Sequence, residues 1–191
     1  IESGNLDTEI TVKNLPNLDG MNAVTVHLVK GERYTMRSLV EVMLVASAND
    51  AAYVVAEGVA GSADKFVTLM NSKAKELGMN DTNFVNCTGL DDSPEAANHR
   101  TSAHDIAIMS RELLKNHPDI KRFTTIWMDT VRDGAFGLSN TNKLVRFYPG
   151  ATGLKTGFTS GAGYCLSATA EREGMELIAV VMGAATSQKR N

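Results

Sequence analysis

Residues 150–182 read GATGLKTGFTSGAGYCLSATAEREGMELIAVVM, and this stretch decides the fold. Within it, the period of the sequence predicts three strands, at 150–156, 163–170 and 176–182. Glycine-containing segments at 157–161 and 171–174 separate the three strands at hairpin lengths. The stretch therefore predicts an antiparallel sheet.

Shorter strands are predicted near the start of the chain. Residues 9–12 and 24–29 alternate between apolar and polar types, and Pro16, Asp19 and Gly20 interrupt the chain between them. Gly31 and Glu32 form a predicted turn before Tyr34. We expect this first part of the chain to join a sheet.

The middle of the chain repeats its apolar residues at helical spacing. The pattern predicts helices over 38–46 and 49–59, a third helix capped by Ser62 and ended by Gly78, and a fourth capped by Ser102 or Thr101 that ends before Pro118. The predicted architecture is one α+β domain over 1–191. It has a mainly helical subdomain at 36–127 and sheet-forming segments at 1–35 and 150–183.

Composition describes an ordinary globular chain of one-domain length. Its 191 residues are 43% hydrophobic and carry a formal net charge of −3, which gives no electrostatic reason to expect nucleic-acid binding. The sequence contains no apolar run of the roughly 18 residues that a membrane-spanning helix needs. Its four histidines and two cysteines show no metal-ligand spacing, so we expect no metal and no cofactor.

Two tripeptides carry the chemistry. Ser47-Ala48-Asn49 lies at the junction of two predicted helices, and Lys155-Thr156-Gly157 lies on the first late strand, 108 residues further on. An S-x-N motif followed by K-T-G is typical of serine acyl-transfer enzymes, in which a lysine activates a serine nucleophile. The glycine would leave room for a substrate backbone beside the strand.

The surroundings of both motifs resemble the low-molecular-mass penicillin-binding proteins that are serine-type D-alanyl-D-alanine carboxypeptidases. The resemblance runs along the whole chain and is clearest at Leu44–Ala52, Met70–Met79, Asn140–Asn142, Gly153–Gly157 and Ala162–Cys165. It implies a penicillin-binding protein/β-lactamase-like transpeptidase fold. This fold is an antiparallel sheet with a helical subdomain, arranged like an α/β/α sandwich.

The resemblance also implies roles for seven residues. The catalytic positions would be Ser47, Asn49 and Lys155, and the substrate-binding positions would be Thr156, Gly157, Phe158 and Arg190. Ser47 would relay a proton, Asn49 would orient the substrate and the active-site lysine, and Lys155 would keep the pocket positive. Thr156 and Arg190 would bind a terminal carboxylate, and the N–H of Phe158 would donate to an oxyanion.

Plainer interpretations exist for the same residues. Ser47 and Asn49 are common helix caps, and Lys155 could be a solvated charge on an edge strand. Arg190 lies one residue from the end of the sequence, where a mobile surface charge is the simpler interpretation.

The S-x-x-K motif expected for the nucleophile does not occur before Ser47. Ser62 and Ser72 each have a lysine three residues later, but both follow S-x-N, and we interpret them as a helix cap and a solvent-facing residue. We therefore expect the nucleophile upstream of residue 1, a chain truncated at both ends, and no activity from these residues alone.

The resemblance implies peptidoglycan stem peptides ending in D-Ala-D-Ala and β-lactams as ligands, with the parent protein exported to the extracytoplasmic face of the bacterial membrane. Two alternatives remain. A class A-like β-lactamase would need a glutamate and an asparagine four residues apart, which Glu112 and Asn116 supply inside a predicted helix. A non-catalytic peptide-binding module would need no nucleophile.

Overall fold

The computed structural model describes residues 5–18, 21–91 and 93–191. The predicted interruption at Asp19 and Gly20 lies outside the described residues, as do residues 1–4 of the first sheet-forming segment.

Helices dominate the middle of the chain and strands its last third. The strands are β1 Glu9–Thr11, β2 Arg33–Thr35, β3 Met128–Val131, β4 Phe136–Ser139, β5 Ala151–Thr159, β6 Gly163–Arg172 and β7 Met175–Ala184. The α-helices are α1 Met36–Val45, α2 Asn49–Ala60, α3 Ala63–Glu76, α4 Ala103–Asn116, α5 Lys121–Thr124, α6 Leu144–Phe147 and α7 Ser187–Arg190. Short 3₁₀ turns lie at Pro94–Asn98 and Pro118–Ile120.

The three late strands form the predicted antiparallel sheet, in the order β5-β6-β7. Strand β5 runs further than predicted, to Thr159, so Gly157 lies inside the strand opposite Cys165 and not in the turn. Helix α4 packs on this sheet, where the hydroxyl of Ser110 lies 2.8 Å from that of Ser167.

The strand predicted at residues 24–29 is wrong. β1 pairs with β2, and residues 24–29 form no strand with any part of the chain that the structure describes. Instead, the N–H groups of Val26 and Leu28 both donate to the carboxylate of Asp50, and the N–H of Asn49 donates to the carbonyl of Val24. A buried carboxylate thus replaces the neighbouring strand as the acceptor of these backbone donors.

The predicted helix boundaries follow their capping residues. The hydroxyl of Ser62 accepts from the N–H of Lys65, and that of Ser102 from the N–H of Asp105, as predicted for α3 and α4. Gly78 follows α3 with φ of +77°, a conformation that glycine adopts without steric cost. Ser72 is exposed on α3, as predicted.

Helix α1 lies at the centre of the hydrophobic core. Its buried residues pack with those of α2, α5, β4 and β5; the core includes Leu39, Val42, Val45, Ala51, Val54, Phe123, Leu138 and Leu154. Since α1 is buried along one whole side, the junction between α1 and α2 is held in a fixed position relative to β5. None of the helices described is both long and apolar enough to cross a bilayer.

Candidate active site

Ser47 lies at a sharp corner between α1 and α2. Its φ of +62° is left-handed, which residues other than glycine seldom adopt. Ala48 occupies the cap position of α2, with no side-chain hydrogen bond to the helix. The interpretation of Ser47 and Asn49 as helix caps is therefore wrong, and the hydroxyl of Ser47 is available for another partner.

That partner is Lys155. The Nζ atom of Lys155 donates to Oγ of Ser47 at 2.7 Å and to the carbonyl oxygen of Thr156 at 2.8 Å. The two motifs, separated by 108 residues, thus meet in direct contact. The interpretation of Lys155 as a solvated edge charge is wrong, because the side chain is partly buried and bonded on both sides.

Burial, followed by the nearby positive charge of Arg190, lowers the pKa of Lys155 from 10.5 to about 8. A lysine with this pKa is still mainly protonated at pH 7, yet roughly one molecule in ten carries the neutral amine. An ordinary surface lysine is neutral in fewer than about one molecule in a thousand. Lys155 can therefore both donate and accept a proton near neutral pH.

Arg190 lies close enough to Lys155 for its positive charge to lower the pKa of the lysine amine. Its side chain is 8% exposed, its guanidinium carbon lies 5.9 Å from the centre of the Tyr164 ring, and its Nε donates to Oδ1 of Asn191. Helix α7 holds it there, with Thr186 as the cap. The simpler interpretation of Arg190 as a mobile surface charge is wrong.

Thr156, Gly157 and Phe158 follow Lys155 along β5. Thr156 is buried, and its hydroxyl lies 2.6 Å from that of Thr141. Gly157 is exposed, and a Cβ placed there would meet its nearest described neighbour, Cys165, only at 3.9 Å, so the fold itself does not require glycine at this position. The ring of Phe158 lies 4.3 Å from that of Tyr164 and remains 45% exposed.

Asn49 faces a different partner. Its Nδ2 atom donates to the carbonyl of Val24 at 3.0 Å, which ties the start of α2 to residues 24–29. Within the described ranges, no hydrogen bond joins Asn49 to Lys155. The structure thus brings Ser47, Lys155, Thr156 and Arg190 together, and the role of Asn49 stays a prediction.

One residue that contacts the site had no predicted role. Thr141 belongs to the quoted stretch Asn140–Asn142, and besides reaching Thr156 its N–H donates to the carbonyl of Val45, two residues before Ser47. The neighbouring Asn142 is 1% exposed and donates to the carbonyl of Gly153. The only signal in the sequence was the resemblance itself, because a threonine in a loop has no periodicity.

A separate pocket of about 240 Å³ lies beside Tyr53 and Cys87, away from both motifs. Burial raises the pKa of the Cys87 thiol, which keeps it protonated and a poor nucleophile. The contact between Ser47 and Lys155, in contrast, contains an amine whose pKa of about 8 lies close to neutral.

Comparison with known proteins shows the family of the chain. The family model described as D-alanyl-D-alanine carboxypeptidase, peptidase family S11, matches residues 3–186. The chain belongs to this family. As a member of the S11 family, it is 41% identical to the D-alanyl-D-alanine carboxypeptidase DacF of Bacillus subtilis over 194 residues, a match that covers all of this chain and 49% of DacF.

Solved structures of penicillin-binding proteins share the fold. Penicillin-binding protein D2 of Listeria monocytogenes, in its cefotaxime-bound form, is 36% identical with a TM-score of 0.84, over 97% of this chain and 73% of that one. Penicillin-binding protein 6B of Escherichia coli is 33% identical with a TM-score of 0.87, over 99% of this chain and 59% of that one. The predicted α+β fold of the penicillin-binding proteins is confirmed.

The β-lactamase alternative finds no support on α4. Asn116 donates to Glu112 at 2.6 Å within the helix, so the two side chains satisfy each other one turn apart.

Proposed function

We propose that the protein carrying this chain is a serine-type carboxypeptidase that removes the terminal D-alanine from peptidoglycan stem peptides. The observation that carries the proposal is the 2.7 Å hydrogen bond between Nζ of Lys155 and Oγ of Ser47. It joins a hydroxyl freed from helix capping to an amine whose pKa of about 8 is close to neutral. The S11 family match and the names of the relatives support the substrate class.

The reaction needs a nucleophile from sequence outside residues 1–191, since no S-x-x-K precedes Ser47. The lysine of that motif takes the proton of the serine hydroxyl as the serine oxygen attacks the carbonyl carbon of the penultimate D-alanine, and the peptide C–N bond breaks. The leaving amine must gain a proton, and free D-alanine departs. Water then hydrolyses the acyl-serine ester and regenerates the serine.

Ser47 and Lys155 supply the route for that proton. The serine hydroxyl accepts from the lysine amine and can pass its own proton to the leaving nitrogen, after which Lys155 replaces it. The low pKa of Lys155 makes this transfer less costly than it would be from a fully solvated lysine. Asn49, on the same corner, would orient the peptide.

The substrate carboxylate would lie between Arg190 and Thr156. A nearly buried guanidinium offers a strong, planar donor to a carboxylate, and its charge adds to that of Lys155. The open face of Gly157 leaves room for the peptide backbone beside β5, and the N–H of Phe158 would donate to the oxyanion.

β-Lactams would acylate the same serine, because their carbonyl group and carboxylate would lie where the carbonyl group and carboxylate of the peptide lie. The cefotaxime-bound Listeria relative supports this part of the proposal. The substrate also implies that the protein acts outside the cytoplasmic membrane, where peptidoglycan lies.

The test is release of D-alanine from a peptide ending in D-Ala-D-Ala by the protein expressed with the sequence that flanks residues 1–191. Ser47→Ala should lower kcat/KM at least about a hundredfold, as loss of a proton-transfer group does. Ser72→Ala, an exposed serine on α3, is the matched control and should leave the rate unchanged. Equal rates for Ser47→Ala and the wild type would refute the proposal.

A further inference from the structure

Thr141 contacts two parts of the candidate site at once. Its N–H donates to the carbonyl of Val45 at 3.2 Å, at the end of α1, and its hydroxyl lies 2.6 Å from that of Thr156 on β5. Buried amides on either side hold the loop: Asn140 donates to the carbonyl of Ile126, and Asn142 donates to the carbonyl of Gly153. Thr141 therefore has a fixed position between the corner at Ser47 and the strand that carries Lys155.

The contact between two hydroxyls constrains where each proton points. A threonine hydroxyl has one proton to donate, so only one of the two can donate across the 2.6 Å contact. If Thr156 donated to Thr141, its proton would be unavailable to a ligand. If Thr141 donates, the proton of Thr156 must point away from Thr141.

A ligand carboxylate decides between these two arrangements. A carboxylate only accepts hydrogen bonds, so a carboxylate bound at Thr156 favours the arrangement in which Thr156 donates to it and Thr141 donates to Thr156. A chain of two hydroxyls ending on a charged acceptor is also mutually polarised, which strengthens both bonds.

We propose that Thr141 is a positioning residue for carboxylate recognition, which donates to Thr156 and directs the Thr156 proton to the terminal carboxylate of the substrate. This inference rests on the proposed function, because it needs a substrate with a carboxylate at Thr156. Thr141 does not touch the reacting atoms and acts only through Thr156.

The experiment compares Thr141→Val with Thr141→Ser in the protein expressed with its flanking sequence. Valine keeps the shape of threonine and removes the donor, whereas serine keeps the donor. Thr152→Val is the matched control, because the hydroxyl of Thr152 lies 2.8 Å from that of Thr169 in a second threonine pair on β5 and β6. Each variant is assayed on a peptide ending in D-Ala-D-Ala and on the methyl ester of the same peptide.

For Thr141→Val we expect KM for the free-acid peptide to rise about fivefold, the effect of one lost hydrogen bond, with kcat within about twofold of wild type. The methyl ester should be processed as by the wild type, and Thr141→Ser should restore the KM for the free acid. A lower rate on both substrates would indicate a structural defect and would refute a role specific to the carboxylate.

The outcomes separate the two hypotheses. A wild-type protein that hydrolyses neither peptide refutes the proposed function, and the inference fails with it. An active wild type whose preference for the free acid is unchanged in Thr141→Val refutes the inference alone. Equal losses in Thr141→Val and Thr152→Val also refute it, because they would reflect the sheet and not the carboxylate.

Discussion

Replacing Lys155 with methionine tests whether its amine is held in a desolvated position. Burial, followed by the charge of Arg190, places the folded-state pKa at about 8, against 10.5 for the free side chain. The folded protein therefore loses this proton at lower pH than the unfolded chain does. Below pH 8 the buried amine of the folded wild type is charged, and its desolvation lowers the free energy of unfolding by the full amount. This destabilisation disappears as the pH rises from 8 to 10.5.

The size of the effect follows from the pKa difference. The difference between pKa values of 10.5 and about 8 corresponds to roughly 3 kcal/mol, most of which is recovered between pH 7 and pH 10. Lys155→Met keeps the apolar stem and has no proton to lose. The wild type should therefore gain roughly 2 to 3 kcal/mol of unfolding free energy relative to Lys155→Met across that pH range.

Urea unfolding followed by the fluorescence of Trp127, the single tryptophan of the chain, measures this difference. Lys121→Met is the control of opposite sign, because hydrogen bonds to Glu176 and Glu171 raise the pKa of Lys121. The stability that the charged Lys121 contributes is complete below the pKa of lysine in the unfolded chain and is lost only above it. A difference between wild type and Lys155→Met that stays constant from pH 7 to pH 10 would show that Lys155 is solvated, and the proton route through Ser47 would lose its basis.

Two further outcomes follow from the structure. Asp50→Ala removes the acceptor of the N–H groups of Val26, Leu28 and Ala51, and it should lower the free energy of unfolding in urea by about 3 kcal/mol. A loss below about 1 kcal/mol would mean that water replaces the carboxylate as the acceptor. Residues 1–191 expressed alone should form no covalent adduct with a fluorescent penicillin, whereas the longer protein should be labelled; an adduct on the isolated chain, located by peptide mass, would identify a nucleophile among these residues.

Local signals in the sequence predicted most of the helices and the late sheet. The β5–β7 strands were predictable because short turns join them, so each strand's partner is its neighbour in the chain. The hairpin of β3 and β4 was missed, although Asp133 and Gly134, which both adopt positive φ in its turn, were a usable signal.

Residues 24–29 show what the pattern could not reveal. Their alternation is real, with Val26 and Leu28 buried, but the acceptor for their backbone is a side chain 22 to 24 residues away. Alternation reports only which side chains are buried, and it does not identify the group that satisfies the backbone. No local rule would have selected Asp50 for this position.

The residues of the candidate site also divide into those that the sequence predicted and one that it did not. Motif spacing anticipated the contact of Ser47 with Lys155, because two short motifs of known chemistry restrict each other. Arg190 came only from resemblance, since its burial depends on α7 packing against β6 and β7. Thr141 was given no role, because a hydrogen bond between two hydroxyls in a loop and a strand leaves no mark on composition or period.

Ser47 is the place where a local rule is broken. A left-handed conformation costs a non-glycine residue roughly 1 kcal/mol or more, and glycine would avoid that cost. Backbone hydrogen bonds on both sides hold the corner, from Thr141 to Val45 and from Asn49 to Val24, so the strain cannot relax. This conformation turns the serine hydroxyl away from the start of α2, where Ala48 is the cap residue, and towards Lys155. A serine that caps a helix has an extended backbone, so the left-handed conformation of Ser47 does not serve capping, and the proposed proton transfer with a desolvated lysine gives it a reason.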